Sequence, residues 1–254
     1  MEITLEQLLK GKATKIKDKE YYPTEAYVSP FLDRMQRITD QFTVKVELPQ
    51  QITLTKEKDL DCEDITFNRV WIQALLPPEY QVENHTDVIG MVYGVDKGVA
   101  KFYRGGMNNA CTNLCVFNPE YLRTQKLEPL KAINFQGLQE LVDKTNEIKS
   151  FLNILESREF IFDEENLNEQ LGFWVRQCIS ESYNSGFGGT KISTATAIKA
   201  FKLLFTDKKS PYYTDTNTNY FNVYNAFTEI ISHDDRDIMN TCEKVLLLRS
   251  ILSV

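Results

Sequence analysis

The hydrophobic period of this chain changes partway along, and that change limits the fold more than any other feature. Up to about residue 118 the apolar positions tend to recur every second residue, as in strands; from residue 136 they recur at 3.6, as in helices. Phe42, Val44, Val46 and Leu48 alternate with Thr43, Lys45 and Glu47, the pattern of a half-buried strand. Residues 65–76 are rich in strand formers and end at Pro77-Pro78. The runs 88–93 and 99–103 flank Gly94-Val95-Asp96-Lys97-Gly98, which predicts a β-hairpin, and 111–117 is a further strand closed by Asn118-Pro119. Ahead of these, Ser29-Pro30 with Phe31, Leu32, Met35 and Ile38 predicts a helix over 29–40.

Past residue 136, Leu138, Leu141, Val142, Ile148, Phe151, Leu152 and Leu155 predict one long helix. Asp163 is placed to cap the next, whose apolar face is Leu167, Leu171, Trp174, Val175, Cys178 and Ile179. A third starts at Ser193 or Thr194 and runs to Phe205, with two more over 219–232 and 236–252. Strands segregated from helices define an α+β class. The expected architecture is a strand-rich N-terminal half, antiparallel or mixed, packed against a helical C-terminal half. A single domain over 1–254 is expected; any subdivision would fall at 1–125 and 126–254, near Pro119 and Pro129.

Composition narrows the class. With 42% hydrophobic and 11% aromatic residues, the chain can bury enough apolar surface to offset the entropy of ordering. No apolar run approaches the roughly 18–20 residues that span a bilayer. The first twenty residues have no secretion-signal core, so a cytoplasmic location is expected. Five sparse cysteines fit reduced thiols. A net charge of −7 disfavours non-specific nucleic-acid binding and favours a basic protein partner.

Catalytic signatures are weak. Cys111 and Cys115 lack the paired spacing of a structural zinc site, and His85 and His233 are far apart in sequence. His85, within Glu83-Asn84-His85-Thr86-Asp87, reads as an exposed loop histidine. No G-x-S-x-G turn is present, and Gly186-Phe187-Gly188-Gly189-Thr190-Lys191 lacks the Gly-Lys-Ser/Thr order of a phosphate loop. The carboxylate clusters at 59–64, 163–165 and 234–237 read as solvated faces and helix caps, or as an acidic surface for a basic protein. The expectation is therefore no enzyme, no metal, no cofactor and no small-molecule substrate.

Two regions remain as candidate binding sites. Lys101, Phe102, Tyr103 and Arg104 interleave cations and aromatics on the hairpin beside Asn108 and Asn109, a pattern that can stack bases and neutralise phosphates. It equally fits the wet face of an ordinary sheet. Asn184 and Phe187 lie in a glycine-rich connection that could present an aromatic to a partner. On the helix over 219–232, Tyr220, Tyr224, Phe227 and Ile231 form a core face. Asn222, Asn225 and Glu229 form a polar line that needs partners, for instance from the loop before it.

The run Phe221-Asn222-Val223-Tyr224-Asn225-Ala226-Phe227-Thr228-Glu229, followed by His233, resembles a motif of the phage/plasmid-like protein family, a family of unknown function. Cys111-Thr112-Asn113 looks like the same family's Cys-Ser/Thr-Asn element. Residues 107–116 and 184–189 are similar to a related family described mainly in Bacteroidetes and their mobile elements. The resemblance makes Cys111, Asn113, Tyr224, Asn225, Thr228, Glu229 and His233 the family-motif positions. It implies a protein carried by phages or plasmids, with no established catalytic residue. The leading expectation is a non-enzymatic accessory protein that binds and inhibits a host defence nucleoprotein, such as an RNA-guided CRISPR effector. The alternative is a single-stranded RNA- or DNA-binding, or annealing, protein of phage recombination. A nuclease using an acid cluster is the third reading.

Overall fold

A computed structural model describes residues 4–9, 15–16, 19–20, 24–47, 69–78, 85–108, 113–116, 118–127, 133–143, 147–184, 190–233 and 235–252. The architecture is α+β, with antiparallel strands through the N-terminal half and helices through the C-terminal half. Contacts cluster into two units, each built from several stretches of chain. The first comprises residues 1–105, 120–145 and 235–239; the second comprises 106–119, 146–234 and 240–254.

The first unit begins with the short helix α1 (Leu5–Leu9) and the pair β1 (Lys15–Ile16) and β2 (Lys19–Glu20). Helix α2 (Thr24–Met35) follows. It starts earlier than the 29–40 expected and carries Pro30 inside rather than at its first turn. An internal proline costs on the order of 3 kcal/mol. Complete or near-complete burial of Tyr27, Val28, Phe31, Leu32 and Met35 along one stripe outweighs that.

Strands β3 (Phe42–Glu47), β4 (Arg69–Leu75), β5 (His85–Gly94) and β6 (Val99–Asn108) lie side by side in sequence order. The register of β3 on β4 sets Lys45 opposite Trp71 and Glu47 opposite Arg69. The Arg69 guanidinium bridges Glu47 and the turn residue Asp96, each at 2.8 Å. The turn into β6 closes at Gly98, whose φ of +64° suits glycine. Val99 to Tyr103 of β6 pair with β8 (Leu122–Lys126); the last residues of β6, from Gly106, belong to the second unit, where Gly106 and Met107 pair with β7 (Leu114–Cys115). Helix α3 (Gln136–Asp143) completes the first unit.

Gly90 has its place on β5 because of Tyr103. A Cβ there would overlap the Tyr103 ring, which passes over the glycine to reach β4. The Tyr103 hydroxyl accepts from Trp71 Nε1 and donates to Gln73 Oε1 at 3.3 Å. Tyr27 of α2 meets Tyr93 edge-to-face at 5.5 Å, locking the helix onto β5.

The second unit holds α4 (Ile148–Ser157), β9 (Glu159–Phe160), α5 (Leu167–Asn184), α6 (Thr194–Phe205), β10 (Thr218–Asn219), α7 (Tyr220–Ser232) and α8 (Thr241–Ile251). The single helix expected over 138–155 is two, α3 and α4. Ser193 and Asn219 cap α6 and α7 by accepting from the backbone N–H groups of Thr196 and Asn222. An aromatic cluster centres on Trp174 of α5, with Phe160, Phe201 and Phe227 at 5.4–5.8 Å. A 3₁₀ turn (Asp235–Asn240), which belongs to the first unit as far as Met239, occupies the first part of the helix expected over 236–252.

Candidate functional site

The hairpin residues do not form a wet face. Lys101, Phe102, Arg104 and Asn108 are all buried, because β6 is an inner strand covered on both sides. Lys101 Nζ donates to the carbonyl of Met239 at 2.6 Å. The Phe102 ring sits 5.5 Å from Phe135. Arg104 pairs with Asp87 at 2.6 Å and also donates to the carbonyls of Leu141 and Val142 in the last turn of α3. A cation there complements the negative end of the helix while neutralising a buried carboxylate. These side chains are spent on internal bonds and offer no platform for stacked bases.

His85 is likewise no loop residue. It opens β5 with 2% of its surface exposed, and burial pushes its imidazole down to about 4. It is neutral at physiological pH.

The motif positions of the second unit converge. Asn113, just before β7, donates through Nδ2 to the Asn225 carbonyl at 3.2 Å and to the Tyr212 hydroxyl at 3.3 Å. That hydroxyl donates in turn to Glu229 Oε2 at 3.1 Å, and His233 Nε2 stands 3.9 Å from the same oxygen. Thr228 Oγ1 donates back to the Asn225 carbonyl at 3.1 Å. The backbone N–H of Leu114 donates to Ser232 Oγ at 3.0 Å. The Tyr224 hydroxyl lies against the Cys115 thiol, and burial first, then that thiol, holds its pKa well above the usual phenol value. Asn113, Tyr224, Asn225, Thr228, Glu229 and His233, read separately along the sequence, thus belong to one stretch of polar contacts between β7, α7 and the loop before it. The network is graded from buried to open. Asn113 and Thr228 are fully buried, whereas the Glu229 and His233 side chains are 32% and 43% exposed.

Sequence reasoning missed Tyr212, Ser232 and Asp87, each chosen by a partner far along the chain. Only the unpartnered polar line on α7 hinted that something must meet it. Asn109, Cys111 and Phe187 lie outside the described residues, as do the clusters at 59–64 and most of the 184–189 loop; Asn184 closes α5. Asp163 shapes the turn ahead of α5 rather than capping it. Its carboxylate accepts from the Asn166 side chain at 2.7 Å and from the backbone of Glu165, and these bonds, the Asn166 side chain first, hold its pKa down.

Among the described residues no three His, Cys, Asp or Glu side chains come together as a metal site. A cavity of about 300 Å³ in the first unit is lined by Phe102, Arg123, Gln125, Gln136 and Glu140, among others. Three of its polar side chains are engaged: Arg123 with Glu140 at 3.3 Å, and Gln125 with the Asn134 backbone.

The chain matches no family model, no curated protein and no solved structure.

Proposed function

We propose that this protein acts by binding, as a non-enzymatic inhibitor that occupies a basic surface of a host defence nucleoprotein, an RNA-guided nuclease complex being the class in mind. One observation carries the reading: the chain's surplus charge is concentrated. Residues 147–184 hold eight carboxylates against Lys149, Arg158 and Arg176, a net −5 of the chain's −7. Glu147, Glu156, Glu159, Glu164, Glu165 and Glu169 are all exposed there. Such a field attracts proteins that carry basic channels for guide and target strands, and it repels free nucleic acid. The alternative, a single-strand binder, drew its support from Lys101, Phe102 and Arg104, whose burial removes that support.

The test is a plating assay. A bacterial host with active RNA-guided interference is challenged with a targeted phage, with and without this protein. Restored plaque formation, together with co-purification of the effector, is the expected result. Unchanged interference, or direct binding of labelled single strands at low salt without any effector, overturns the reading.

A further inference from the structure

Helix α5 is unusual in what it leaves outside. Of its described side chains only Trp174 and Cys178 are fully buried, while Phe173 and Ile179 are 46% and 48% exposed. The chain entering it alternates. Phe160 turns inward to Trp174 and Phe162 turns inward to Phe205, so Ile161 between them faces out, 64% exposed. Gln170 Nε2 donates to the Ile161 carbonyl at 3.0 Å, and Gln170 lies one turn before Phe173 on neighbouring ground of the helix. Ile161 is thereby tied to the N-terminal end of α5, one turn before Phe173. The exposed Glu164, Glu165 and Glu169 surround that end, and Arg176 is the helix's single cation.

We infer that Ile161 and Phe173 are the apolar anchors of a docking surface, and that its partner is a protein segment pairing an apolar face with flanking lysines or arginines. An aromatic knob with an aliphatic neighbour supplies the desolvated centre of an interface, and the glutamates supply the charged rim that selects a basic partner. This rests on the binding reading above and adds to it where the partner docks and what it must look like.

The experiment uses three fluorescent 18-residue helical peptides as probes. One has leucines on one face and lysines on the other, one is its scrambled isomer, and one has glutamate for every lysine. The full chain binds the first, more weakly as salt rises, and the other two not measurably. Phe173→Ser, and separately the pair Glu165→Lys and Glu169→Lys, weaken binding at least about tenfold. Ile154→Ser, on α4 and also exposed (45%), leaves it unchanged. Circular dichroism melting checks that each variant is folded. Equal binding of the scrambled peptide, or no effect of Phe173→Ser, overturns the inference. So does sedimentation showing that the chain pairs with itself in a Phe173-dependent way, which makes a second copy the occupant. Peptide capture without inhibition of a defence complex overturns the functional reading and leaves the surface. Inhibition untouched by Phe173→Ser does the reverse.

Discussion

Arg104 and Asp87 show why single residues in this chain mislead. Each is charged, each sits in a stretch that reads as polar surface, and each is buried against the other at 2.6 Å. Removing either takes the ion-pair partner from the other buried charge, a loss on the order of 3–5 kcal/mol. Arg104→Met and Asp87→Leu are therefore each strongly destabilising in urea unfolding, whereas the double variant recovers most of the loss. Additive losses would contradict that account. Burial of His85 makes the folding stability depend on pH. Its folded pKa, about 4, lies below the ordinary value of 6.5, so between those values the unfolded chain binds the extra proton. Stability from this group is intact above about pH 6.5, falls with acidification, and is lower by about 3 kcal/mol once the pH is below 4. His85→Gln flattens the fall in unfolding midpoint between pH 7 and pH 4.5 relative to the parent chain. An unchanged slope would show that His85 takes up its proton as readily in the folded state.

Elements were more legible than the side chains they carry. The alternation over β3, the turn at Gly98 and the start of α6 at Ser193 are readable, because each depends on local geometry. The start of α2 is not, because burial of Tyr27 and Val28 extends the helix back through a position where Pro30 argues for a boundary. Period-two reading also assigns one wet face to every strand. That fails for β6, where Lys101 and Arg104 find partners 138 and 37 residues away. The motif positions on α7 could be named from the sequence. Their joint bond to Asn113 through Tyr212 could not, since that loop tyrosine has no local pattern. Gly90 tests the sheet at this scale. Gly90→Ala drives a methyl into the Tyr103 ring and breaks the link among Trp71, Gln73 and Tyr103, a cost of roughly 1–3 kcal/mol for overpacking. Differential scanning calorimetry should show a lowered Tm, and Gly90→Ala paired with Tyr103→Phe should not recover it, since the ring remains.

For the whole molecule, two compact units divide the labour in this account. The first is a sheet whose charged and aromatic side chains are turned to internal bonds. The second carries both the convergent polar network and the outward acidic segment with its apolar anchors. The proposed docking surface lies in the second, where carboxylates and exposed apolar groups coincide. Such an interface weakens as salt rises, because its rim contribution is electrostatic.

A titration separates occupation of another macromolecule's surface from chemical alteration of it. A purified RNA-guided nuclease cleaves target DNA while the chain is added in steps, at low and at physiological salt. Occupation of a surface gives inhibition that rises in proportion to the chain, reaches its limit at a fixed molar ratio, weakens with salt and reverses on dilution. Inhibition by a small fraction of that ratio, growing with time and persisting after the chain is removed, would mean that the protein alters its target chemically, and would contradict the account.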